Sequence, residues 1–228
     1  MSYTGLGVYQ QQPKPPNRRP LWIALAVAGV LAVVGGGTAA VLLTGNDATS
    51  APTTSATTTA KPDWTVVEDT QAGLRYEVPP SWETSPVGTV GAVRLTKSQV
   101  SRPFDCQGRN MIQAMVASGT ATGEVPDVAE ALIVEIARTS YTVEGQKPKL
   151  GKPEVRGVEE HTVASVEVTP SAVSPCYAPK ATVRAYARST RSSKVAVLVL
   201  NVAEGGPYVA EGPSEDDVNR IMESVRPL

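Results

Sequence analysis

This chain of 228 residues holds one histidine, one phenylalanine and two cysteines, and aromatic residues make up only 5% of it. One imidazole and two distant thiols, Cys106 and Cys176, are too few and too scattered for a zinc site or a Cys-x-x-Cys redox pair. No Gly-x-Ser-x-Gly elbow supplies a nucleophile for His161, and no Gly-x-x-x-x-Gly-Lys-Ser/Thr loop is present to cradle a phosphate. The sequence therefore yields no catalytic, cofactor-binding or metal-binding set. Acidic residues are missing from the first twenty positions, and basic residues are missing between Arg19 and Lys61. Beyond Asp47, 18 basic residues (21 less Lys14, Arg18 and Arg19) face 21 acidic ones (22 less Asp47), so no basic surface for nucleic acid is expected.

What the chain does have is a long uncharged apolar run, Leu21–Thr44. As a helix it would measure about 36 Å, enough for a hydrocarbon core of about 30 Å. A cleaved secretory signal is the competing reading, with Gly37-Thr38-Ala39 as a poor cleavage site. Its apolar centre would span only about 7–15 residues, and here Val41-Leu42-Leu43 continue the run. A retained single-pass signal anchor is the expectation. Lys14, Arg18 and Arg19 on the near side place residues 1–20 in the cytoplasm and the C-terminal part outside, at the cell membrane. Gly29 and Gly35–Gly37 are small enough to let two such helices approach, which would make a homodimer through the span.

Four segments follow: a Pro/Gln-rich disordered tail at 1–20, a transmembrane helix at 21–44, an Ala/Thr/Ser/Pro-rich linker at 45–61, and an extracytoplasmic domain at 62–228. The linker composition suits a stalk that carries O-linked sugars; the chain has no Asn-x-Ser/Thr acceptor. Cys106 and Cys176 both fall in the outer domain. With no third thiol to compete, a structural disulfide between them is expected in an oxidising compartment.

Within the domain, apolar residues alternate at Leu74/Tyr76/Val78, Val93/Leu95, Ala164/Val166/Val168 and Val183/Ala185/Ala187, and Ile112/Ala114/Val116 add a further strand. Val195–Leu200 is apolar on both faces and reads as a central strand, joined to its predecessor by an Arg191-Ser192-Ser193 hairpin turn. A first helix is expected with Asp127 as its cap, Pro126 just outside, and Ala129, Leu132, Ile133 and Ile136 on one face. A second is capped by Ser214 with Asp217 three residues on, and buries Val218, Ile221, Met222 and Val225. Gln99–Asn110 and Ser171–Lys180, which carry the two cysteines, read as loops. The class expected is α+β, an antiparallel sheet flanked by helices.

Gly73-Leu74-Arg75-Tyr76-Glu77-Val78-Pro79-Pro80-Ser81-Trp82 resembles the opening motif of PsbP-like domains, and Asp217 through Ser224-Val225-Arg226-Pro227 resembles their closing helix. The tail, span and stalk together are similar to actinobacterial single-pass envelope proteins. The resemblance implies an α/β/α sandwich for 62–228 and implies no activity, since that fold serves as a binding or assembly module in unrelated settings. The cysteine pair is not part of the PsbP-like pattern.

The leading functional expectation is a membrane-anchored, non-enzymatic binding or assembly module whose partners are envelope proteins or wall components. An anchored cell-wall hydrolase is the alternative. It requires clustered carboxylates in a cleft, or His161 beside a serine. A sensor passing an outer signal to the tail is a third. His161, beside Glu159 and Glu160, reads as an ordinary surface histidine. Phe104, Tyr177, Arg102 and Arg109 at the disulfide edge either form a binding patch or only close the fold.

Overall fold

The computed structural model describes residues 63–172, 175–206 and 212–228. In chain order the elements are β1 (Thr65–Asp69), β2 (Leu74–Val78), β3 (Glu83–Thr84), β4 (Thr89–Val90), β5 (Val93–Val100), β6 (Phe104–Cys106), β7 (Arg109–Met111) and β8 (Ala114–Ala121). Then come α1 (Val125–Tyr141), β9 (Lys149–Leu150), β10 (Glu154–Val158), β11 (His161–Thr169), β12 (Lys180–Ser189), β13 (Val195–Glu204), α2 (Glu215–Glu223) and β14 (Arg226–Pro227).

The main sheet is antiparallel and runs β10-β11-β12-β13-β8-β5-β3, with β4 added to β5 and β9 to β11. As the unbroken apolar pattern requires, β13 lies at its centre, and Val195–Val202 are all buried. On one face, Val197, Val199, Ala185, Val166 and Ala117 pack against Ala129, Leu132, Ile133 and Ile136 of α1. On the other, Ala196, Leu198, Leu200, Val116 and Tyr186 meet Leu74, Tyr76 and Val78 of β2 and Val218 and Ile221 of α2. Trp82 packs half-buried against this second cluster, folded back over the core.

That second face corrects the expected class. The covering layer there is not a helix layer: a small sheet, β1-β2-β14, shares it with the nine-residue α2. Strand takes 48% of the described chain and helix 16%, so this is a sheet-dominated domain and not a sheet sandwiched between helices. The expected transmembrane helix is not found either: among the described residues no helix is long and apolar enough to cross a membrane. The run Leu21–Thr44 that carried that expectation, the tail at 1–20 and the linker at 45–61 lie outside the described residues. Periodicity shows which strand faces are apolar. It cannot show whether a helix or a second sheet covers them, since both present the same hydrophobic surface.

Local expectations changed in two further places. Helix α1 begins three residues earlier than expected: Glu124, not Asp127, is the N-cap, it makes no side-chain cap, and Pro126 and Asp127 lie inside the first turn. Proline is tolerated there because the first-turn N–H groups have no intrahelical acceptor. In the segment 99–110, read as a loop, Phe104–Cys106 and Arg109–Met111 pair as a hairpin. Its two turn residues, Gln107 and Gly108, both have positive φ (56° and 78°), which closes a two-residue turn. In α2, by contrast, Ser214 Oγ accepts from the Asp217 amide at 3.2 Å, and the reciprocal bond completes the capping box.

Two buried polar knots tie the layers together. Asp69 is 1% exposed. Its Oδ1 accepts from the Gln71 and Ala72 amides, and its Oδ2 accepts from Ser118 Oγ at 2.6 Å and from Thr96 Oγ1. Thr96 reaches it because β5 bulges between Leu95 and Lys97 against β8. Where β5 crosses Gly119, a Cβ would sit 2.2 Å from the Arg94 carbonyl oxygen, so no other residue fits. Tyr76 lies against the same knot, 3.3 Å from Ser118 Oγ, and burial pushes its phenol up to about 12. At the other knot Tyr141 Oη donates to Asn201 Oδ1 at 2.8 Å, joining the end of α1 to β13. Burial raises that phenol as well, with the nearby Glu204 charge acting in the same direction.

Candidate binding cleft

Cross-strand register brings Glu167, Thr182 and Val202 into one row over β11, β12 and β13. Their side chains fall on the α2 side of the sheet, because Val202 packs in the cluster that includes Val218. Two residues along their strands, Arg184 and Glu204 follow on the same face. The start of α2 contributes Pro213, Glu215 and Val218 opposite them. Together these eight residues line an open cleft of about 400 Å³. Its floor is apolar (Val202 and Val218) and its walls are polar, three carboxylates and one guanidinium. Arg184 Nη1 donates to Asn219 Oδ1 at 3.1 Å and so links the sheet wall to the helix wall. The capping box at Ser214 holds the first turn of α2, and with it Glu215, in place.

The anticipated residues fall elsewhere. Cys106 and Cys176 form a disulfide with their Cα atoms 5.7 Å apart, joining the β6–β7 hairpin to the connection between β11 and β12. On that edge Phe104 and Tyr177 are half-buried, while Arg102 and Arg109 are exposed. The aromatic groups are thus partly taken up by the fold. Residues 177–179 also pack on Gly205 and Gly206, at positive φ (76° and 89°): the Cβ position of Gly205 lies 3.2 Å from Pro179.

His161 opens β11 half-buried, its ring stacked on Tyr186 with centroids 4.7 Å apart. Beside it Glu160 pairs with Arg188 at 3.3 Å. The imidazole and Glu167 share a strand face but lie six residues apart, about 20 Å at about 3.3 Å per residue. His161 and the cleft carboxylates therefore do not converge. Among the described residues no three of His, Cys, Asp and Glu group so as to hold a metal ion.

Glu167, Arg184, Glu204 and Glu215 were not legible as a site. In the sequence, Glu167 and Arg184 are the polar half of an alternating strand, and Glu215 is a helix-dipole partner. Only register and the packing of α2 make them neighbours.

A sheet closed by one helix on one face, closed by a small sheet and a short helix on the other, and open at a polar recess defines a sheet-rich domain with a surface cleft between its main sheet and α2. The family model described as a domain of unknown function, DUF8017, matches residues 57–228, and the chain belongs to that family. No curated protein matches its sequence. Among solved structures, it is similar to cyanobacterial PsbP (CyanoP) from Synechocystis sp. PCC 6803, at 15% identity and a TM-score of 0.46 over 72% of this chain and 92% of that one. It is also similar to the Saccharomyces cerevisiae Ran-binding protein Mog1p, at 10% identity and a TM-score of 0.44 over 72% of this chain and 95% of that one.

Proposed function

We propose that residues 62–228 form a non-enzymatic binding module of the cell envelope, held at the outer side of the cell membrane through the N-terminal apolar run. The observation that carries the reading is the cleft between the main sheet and α2. Its apolar floor and polar walls have the make-up of a recognition site. The disulfide supports an oxidising compartment. The partners in view are envelope proteins or wall components that place a polar, preferentially cationic group among Glu167, Glu204 and Glu215.

One observation favours a second reading. Three carboxylates in a cleft are what an anchored cell-wall hydrolase requires. Against it, all three are exposed, whereas a glycosidase acid sits in an apolar pocket that desolvates it. A screen of the full-length chain against envelope proteins and wall fragments separates the two. Saturable binding without turnover, weakened by Glu167→Gln with Glu215→Gln, supports the module. Turnover of a wall substrate that the same substitutions abolish establishes the hydrolase.

A further inference from the structure

We infer that two copies of this chain pair edge to edge through β10, extending the main sheet across a two-fold axis at Val155. Among the described residues β10 is the last strand on its side of the sheet. Only Val155 of its five residues is half-buried, the other four being exposed, and Val158 is 43% exposed, one of few large apolar side chains so placed. An open edge invites strand pairing unless something blocks it.

Backbone geometry decides which groups are free. The β10–β11 hairpin closes at Val158↔His161 around Glu159-Glu160. In a two-residue hairpin the closing pair exchanges its hydrogen bonds inward, and every second pair does the same. Val158, Arg156 and Glu154 therefore bond β11, while the N–H and C=O groups of Val155 and Gly157 point outward. A two-fold at Val155 lets the two Val155 residues exchange bonds. It also lets each Gly157 N–H donate to the Pro153 carbonyl of the second copy, where the missing proline N–H costs nothing.

Charge selects this register. Glu154 and Arg156 lie 2.8 Å apart as an exposed pair in one chain. Across the axis each Glu154 stands opposite Arg156 of the second copy. Lys149 and Lys152, which precede β10, run beside Glu159 and Glu160 at the other copy's hairpin tip, and the Lys152 stem covers Val158. Shifting the axis to Arg156 sets arginine against arginine. Parallel pairing sets lysines beside lysines and glutamates beside glutamates. Edge charges ordinarily repel a neighbouring strand, but here their order is self-complementary in one antiparallel register.

The test is sedimentation of the full-length chain over a range of concentrations at low and high salt. The expected result is a monomer–dimer equilibrium that weakens with salt. Gly157→Pro removes the outward N–H and fixes φ at an exposed edge position where a Cβ meets nothing within 4 Å, so the dimer is lost while the domain still folds with a cooperative melt. Glu154→Arg raises the dissociation constant about tenfold, since both symmetric contacts are affected, and adding Arg156→Glu restores it. If Gly157→Pro does not fold, the charge series decides alone. A wild-type chain that stays monomeric throughout overturns the inference. So does a dimer indifferent to both substitutions, which would place the contact elsewhere, for instance at Gly29 and Gly35–Gly37.

Discussion

Ser118 on β8 donates its hydroxyl to Asp69 at the end of β1, 2.6 Å away and 49 positions along the chain. This bond and its neighbours hold the small sheet to the main one. Asp69 takes four donors in all and is fully enclosed. Asp69→Ala strands two hydroxyls and two amides, and we expect a loss of about 3 kcal/mol in chemical denaturation, with Asp69→Asn costing about half as much. A change below 1 kcal/mol would show that the knot is dispensable.

Gly119 should be as intolerant as any position in the domain. Alanine there places Cβ 2.2 Å from a backbone oxygen that cannot rotate away, so β5 itself must move. We expect a destabilisation of about 2–4 kcal/mol, read as a drop in melting temperature. An unchanged melt would mean the β5 bulge is soft.

Tyr76 makes stability depend on alkaline pH. Its folded phenol titrates at about 12 against an ordinary 10.0, so the unfolded chain releases its proton first. The stability this tyrosine holds is complete below pH 10 and is lost as pH rises through 12, a change of about 3 kcal/mol. Tyr76→Phe should flatten the fall in stability between pH 10 and 12 without abolishing it, because the Tyr141 phenol is raised too. An equally steep profile in the variant would contradict the assignment.

The disulfide closes a 70-residue loop. Replacing Cys106 and Cys176 by serine should cost about 4 kcal/mol in the chain-entropy account. Calorimetry of the variant and of the reduced wild type should agree. Mass spectrometry of the protein purified without reductant should find no free thiol at either position.

Arg220 joins α2 to the start of the domain. It donates from Nε and Nη2 to Glu77, and its guanidinium lies 4.1 Å from the Trp64 ring centroid. The groups are partly exposed, so solvent screening limits Arg220→Ala to about 1 kcal/mol. A blue-to-red change in Trp emission should accompany it, and Trp64→Leu should erase that change.

How much of this was legible in the sequence varies with the range of the interaction. The strand faces at Leu74–Val78, Ala164–Val168 and Val195–Leu200, the buried stripe of α1 and the Ser214 capping box all depend on residues a few positions apart, where periodicity and local hydrogen bonding decide the outcome. The β6–β7 hairpin was missed because its strands are three residues long and its turn uses Gln107 at positive φ, which composition does not signal.

The amino-acid sequence alone thus determined which faces are apolar, that Ser214 caps the second helix, and that one thiol pair stands in a chain otherwise poor in reactive side chains. The tertiary structure decided the rest. It set a small sheet, not a second helix layer, over one face of the main sheet. It brought Asp69 to Ser118, and it gathered Glu167, Arg184, Glu204 and Glu215 into one cleft. The physical reason is that local patterns specify the free energy of burying a face, while long-range register and layer packing specify what buries it. That second choice belongs to the whole chain and to no segment of it.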